Sequence, residues 1–255
     1  MFFEPDRTPY DLNFRLFGVE VRVHPWFWLM SALLGWGAIR HGMAYLLLWI
    51  ACVFISILVH EFGHIVMGWI FGSRGHIVLY GMGGLAVGSL EIRNRWGRMA
   101  VAFAGPAAGL LLWILVVILA LALNINENSP PLLERALTDL FVINLFWSLL
   151  NLLPIWPLDG GRISREFLEW LMPDRGASIA FGISLVIAGL LTANVLSVRF
   201  RQQPLPFFEY IPYVGNMSSL YNAFLFGMLA FMSFQMLQLE SHRRPWDRED
   251  DRWER

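Results

Sequence analysis

The chain has 255 residues, of which 56% are hydrophobic and only 15% charged, with a mean hydropathy of +0.52. A soluble domain carries roughly a quarter charged residues, so this composition excludes a disordered protein, a nucleic-acid binder and an ordinary soluble enzyme. The net charge of -1 excludes a strongly basic or acidic partner surface, and the single cysteine, Cys52, excludes disulfides and cysteine-based metal sites.

In chain order, residues 1–24 come first. They carry Glu4, Asp6, Arg7, Asp11, Arg15, Glu20 and Arg22 with no apolar core. They are not a cleavable signal peptide and are expected to lie along a membrane surface. Apolar stretches follow at 25–39, 43–71, 99–123, 137–156, 177–198 and 220–239. A spanning helix needs about 20 apolar residues; the first stretch is short and could be tilted or re-entrant. The expectation is an all-α polytopic membrane protein with about six transmembrane helices. Residues 72–97 are rich in Gly and β-formers and predict short strands, a hairpin-like cytoplasmic or re-entrant segment. Residues 199–219 mix Pro with aromatics and predict an interfacial loop on the outer side. One membrane domain is expected over 1–255, with a catalytic core at 43–172 and a charged cytoplasmic tail at 241–255.

All nineteen cationic side chains are Arg, and there is no Lys. Fifteen of the Arg fall in alternate loops and tails, and four (Arg40, Arg135, Arg199, Arg201) in the opposite ones. By the positive-inside rule both termini are expected to be cytoplasmic; a multi-pass protein of a prokaryotic cytoplasmic membrane is the expected location.

Within 43–71 the ionisable side chains other than Tyr45 and Cys52 are His60, Glu61 and His64, in LVHEFGHIV. Ionisable residues inside a span are expensive and call for a reason. Positions i and i+4 share a helix face, so His60 and His64 can hold one Zn²⁺. Glu61 lies beside that face and can act as a general base toward water activated there. The plainer reading is a polar cluster between helices. A catalytic zinc usually takes three protein ligands, and the best candidate for the third is Asp159 in NLLPIWPLDGG. Pro154 and Pro157 break the helix there. Both spans run from outside to inside, which brings all three residues to similar depth. Alone, Asp159 could equally be a solvated turn residue.

HEFGH at 60–64 and NLLPIWPLDGG at 151–161 together resemble the site-2 protease family, the peptidase M50-like intramembrane zinc metalloproteases. FAGPAAG at 103–109, the Gly-rich segment at 81–84 and LFGVEVRVHPWF near the N-terminus fit the same pattern. The resemblance implies that His60, His64 and Asp159 ligate one zinc ion and that Glu61 is the catalytic base. It implies a substrate-binding or oxyanion role for Asn151, for which an interhelical hydrogen bond is the alternative. Asn144, near the same helix face, is a second candidate for such a bond. No PDZ-like or CBS-like insert is recognisable, and the 72–97 element could instead pair with an unwound substrate strand.

The resulting expectation is regulated intramembrane proteolysis of transmembrane protein substrates within the lipid bilayer, without nucleic acid. The alternatives are a catalytically silent pseudoprotease that binds membrane proteins and a zinc transporter. Gly105 and Gly109 form a GxxxG expected to be a helix-packing face. His24, His41 and His76 are expected at the membrane interface, not at the metal.

Overall fold

The computed structural model describes residues 4–81, 83–88, 92–125, 129–211 and 214–242. The chain is mostly helical, with a small four-stranded sheet, and divides into two compact units, Met1–Asn151 and Leu152–Arg255.

The first unit opens on a hairpin, β1 (Leu12–Leu16) and β2 (Val19–Val23), where a surface-lying tail was expected. Phe17 and Gly18 make its two-residue turn, both with positive φ. On β2, Val19, Val21 and Val23 are buried against Phe27 of α1 (Pro25–Leu34) and Val53 and Ile57 of α2 (Met43–Ile70). This is the period-2 burial of a strand with one face in the core. A 3₁₀ turn, Trp36–His41, links α1 to α2. The expected element after α2 is present as β3 (His76–Tyr80) and β4 (Gly83–Val87). β3 pairs parallel with β2 and antiparallel with β4, giving the order β1-β2-β3-β4. β3 is therefore an interior strand, and β4 an edge.

Two helices complete this unit: α3 (Arg95–Ala122), capped by the Asn94 side chain on Trp96 N, and α4 (Pro131–Asn151). The second unit holds α5 (Asp159–Leu171), α6 (Gly176–Arg201) and α7 (Leu220–His242), with α6 packed on both others.

Among the described residues, four helices are long and apolar enough to cross a membrane: α2, α3, α6 and α7. The expected first span is α1, whose ten residues reach about 15 Å, half a hydrocarbon core. The expected fourth is α4, which carries Glu134, Arg135 and Asp139 in its first half and ends at Asn151, ahead of Pro154. Most of the expected tail, from Arg243 on, lies outside the described residues.

Arg22 ties the N-terminal segment to the sheet. Its buried guanidinium reaches Glu4 Oε1 at 2.7 Å, Pro5 O at 2.8 Å and Asp11 Oδ2 at 3.0 Å. Burial pushes the Asp11 carboxyl up, but hydrogen bonds from Thr8 and Arg22 outweigh it and hold the group below its ordinary 3.8. A depressed carboxyl stabilises the fold above its unfolded pKa, and that stability is lost as pH falls through the folded value. Acidification below pH 3.8 is therefore expected to lower the protection of amides 8–23 relative to their intrinsic exchange rate at the same pH. In Asp11→Asn this acid dependence should be weaker; an unchanged dependence would assign it to other carboxyls.

Candidate metal centre

His60, Glu61 and His64 are all buried on α2, and their ligand atoms lie within 4.8 Å of one another. The helix period stacks His64 one turn beyond His60, with the rings edge-to-face and centroids 4.9 Å apart. Nδ1 of His64 donates to the Val101 carbonyl of α3 at 2.7 Å. That bond assigns the proton to Nδ1 and leaves Nε2 as the lone-pair donor, the usual arrangement behind a metal-bound imidazole. The two Nε2 atoms are 3.2 Å apart. Two nitrogens each about 2.0–2.1 Å from a tetrahedral Zn²⁺ would be separated by about 3.3 Å. With a carboxylate beside them, the donor set fits zinc.

Two glycines shape the space around these donors. A Cβ at Gly105 of α3 would fall onto His64 Nε2 and within 2.8 Å of His60 Nε2. The GxxxG expected only as a packing face thus also leaves room at the imidazoles. A Cβ at Gly84 of β4 would fall onto the Glu61 side chain, so the edge strand runs directly beside that carboxylate. Replacing Gly84 by Val is expected to displace the Glu61 carboxylate, which a crystal structure of the variant would reveal; an unmoved carboxylate would show that the strand yields.

Asn144 makes the expected interhelical bond, from Nδ2 to Ser56 Oγ of α2 at 2.9 Å. Asn151 is buried, and its amide nitrogen donates to Trp147 O, one turn back in α4. His24 caps α1 through Trp26 N, and His76 sits on β3 with Nε2 3.5 Å from Glu4.

The structure thus brings together three of the expected site residues in the first unit; Asp159 belongs to the second. It opens α5, where the helix dipole favours a carboxylate, and is buried with Arg162 at 3.9 Å. The preceding loop is pinned by two serines that the sequence reading passed over. Ser184 of α6 accepts from Trp156 N at 3.0 Å and donates to Pro154 O at 3.1 Å. Ser233 of α7 donates to Trp156 O at 3.3 Å. Single serines inside apolar helices carry no periodic signal that would reveal this.

Residues 126–191 match the model of Peptidase family M50. A zinc metalloprotease of Methanocaldococcus jannaschii is 28% identical over 194 residues, 72% of this chain and 55% of that protein. The chain is similar to the zinc metalloproteases of Peptidase family M50. Stage IV sporulation protein FB of Bacillus subtilis is 31% identical over 152 residues, 57% of this chain and 46% of that protein. The chain thus spans about half the length of these relatives. A solved site-2 protease from Methanocaldococcus jannaschii shares the fold, with a TM-score of 0.56 at 23% identity, covering 87% of this chain and 95% of that one. The match to Peptidase family M50 and the four apolar helices support a membrane protein.

Proposed function

We propose that this chain is a site-2 protease, an intramembrane zinc metalloprotease that hydrolyses peptide bonds in or near transmembrane segments of membrane proteins. The observation that carries this reading is the buried pair of Nε2 atoms, 3.2 Å apart beside Glu61 on an apolar helix. His60, His64 and Asp159 would hold one zinc ion per chain. Bound there, zinc supplies Lewis-acid polarisation of a carbonyl and lowers the pKa of water.

Glu61 does the proton work. It takes a proton from the attacking water as oxygen adds to the scissile carbonyl carbon. It then returns that proton to the nitrogen as the carbon–nitrogen bond breaks, so the amine leaves neutral. Burial of Glu61 keeps bulk water from competing for this proton. Asn151, at the end of α4, would hold substrate or the developing oxyanion.

A helical substrate hides its carbonyls in backbone hydrogen bonds and must unwind before attack. β4 offers an unwound strand somewhere to go. Its outer edge has no partner strand among the described residues, and Gly84 sets that edge against Glu61. A strand added there would pass its carbonyls close to the proton acceptor. Proline at Leu85 or Ala86 removes one backbone donor from β4. The substitution whose N–H points outward is expected to impair cleavage and keep the sheet. Normal cleavage by both proline variants would rule the edge out. Proline within Ile77–Tyr80, on interior β3, would break the sheet itself.

The Arg distribution supports six crossings with both termini cytoplasmic. α4 would supply one of the additional crossings, its length being about 32 Å and its Asp139 neutralised by Arg135. The domain would act as one catalytic unit with its core at 43–172.

The test is metal content and cleavage together. Purified in detergent, the protein should carry about one zinc per chain and cut a transmembrane substrate. Asp159→Ala should lose both. Zinc flux into liposomes without cleavage would instead indicate transport.

A further inference from the structure

α4 sets an indole against the edge strand. A Cβ at Gly83, the first residue of β4, would stand 3.0 Å from Cζ2 and 3.2 Å from Cη2 of Trp147. The next residue, Gly84, stands against Glu61. Two consecutive glycines of the edge thus lie beside an indole ring and the candidate base.

Trp147 is partly buried against the core of the first unit, and Asn151 holds its carbonyl at 2.9 Å. Its indole nitrogen is buried and has no hydrogen-bond partner among the described residues. Trp49, by contrast, donates its indole N–H to Ser31 O at 3.1 Å. Trp113 Nε1 also lacks a partner there, but its ring lies on Phe141, which is exposed and away from the edge strand. A buried N–H left unpaired is costly and points to a partner that arrives from elsewhere. An indole N–H only donates, so that partner is an acceptor.

A strand laid along β4 brings acceptors. Successive carbonyls of a strand point to opposite sides, so β4 pairs only every second one. The remaining carbonyls are costly in hydrocarbon until they find a donor. We propose that Trp147 is a substrate-positioning residue whose indole N–H donates to a main-chain carbonyl of the unwound segment where it passes Gly83. The role rests on the protease reading and on the β4 edge as the place where substrate binds, and it adds selectivity for conformation. A carbonyl inside an intact helix is already engaged, so this donor favours the unwound form. The donor stands at Gly83 and the proton acceptor at Gly84, so the bond holds the segment beside the reacting carbonyl and not at it.

The probe is a transmembrane polyleucine peptide with a central Pro-Gly pair, which weakens its helix; continuous polyleucine is the comparison. Two full-length variants remove the N–H: Trp147→Phe and Trp147→benzothienylalanine. The second replaces the N–H by sulfur, keeps the ring against Gly83, and serves if Trp147→Phe does not fold. Each is expected to raise KM for the Pro-Gly peptide about tenfold, the worth of one hydrogen bond, with kcat unchanged. In Glu61→Gln, the Trp147 indole N–H resonance, assigned by its loss on adding Trp147→Phe, should move downfield with the Pro-Gly peptide and stay in place with polyleucine. Three results overturn the role: a parental KM in the benzothienylalanine chain, a kcat that falls at constant KM, or an indole resonance indifferent to the Pro-Gly peptide. The ring would then be packing for Gly83 alone. A chain whose resonance moves but which cuts neither peptide would remove the protease reading alone, and one that cuts while the resonance stays in place would remove only Trp147.

Discussion

Glu61→Gln is expected to keep its zinc and to lose about 10²–10⁴-fold or more of its cleavage rate, the range that a positioned general base supplies. The amide matches the carboxylate in size, so the packing of Gly84 against residue 61 is preserved. What disappears is the ability to accept a proton from water. Metal analysis and single-turnover cleavage on the same preparation check this. Two results would count against the assignment. Full cleavage would move the base elsewhere, and loss of zinc together with activity would make Glu61 a ligand, which its place among the clustered donor atoms allows.

Gly105→Ala is expected to have an effect of the same order by a different route. One methyl group at this position falls onto His64 Nε2 and crowds His60 Nε2. Neither ring can simply turn away. His64 is held by its bond to Val101 O on the same helix as Gly105, and both histidines are buried. Overpacking of a tight core costs about 1–3 kcal/mol, so the protein should still fold with normal helix content. Zinc content should fall well below that of the parent, and cleavage with it. Gly109→Ala is the comparison: its methyl group meets a serine hydroxyl, which can rotate, and its effect on metal content should be small. Parental zinc in Gly105→Ala would mean that the imidazoles have more freedom than their hydrogen bonding indicates.

The clustered donors on α2 were legible because the signal is local. Two histidines four residues apart in an apolar run share a face whatever surrounds them, and that face is the one α2 buries. The β-element after α2 was legible from its glycines and alternation. The N-terminal hairpin was not read, although Val19, Val21 and Val23 alternate with Glu20 and Arg22 in plain view. Its charges suggested a surface tail, and its parallel partner β3 lies beyond two helices. Of the six expected spans, four are long and apolar enough among the described residues; α1, already short in the sequence, and α4 stay open. A stretch that averages as apolar can still bury only polar side chains, as α4 does with Asp139, Asn144, Ser148 and Asn151.

The sequence by itself determined that this is a membrane protein, that His60, Glu61 and His64 cluster on one apolar helix in a metal-binding pattern, and that a proline-broken loop precedes Asp159. Composition and helix period suffice for those statements. Only the tertiary structure decided which nitrogen of His64 is the donor, which strand is the edge beside Glu61, and which serines pin the Asp159 loop. Those are contacts between segments far apart in the chain. They are made by a carbonyl, a glycine and two serines, groups whose chemistry becomes specific only when a fold sets them against a partner.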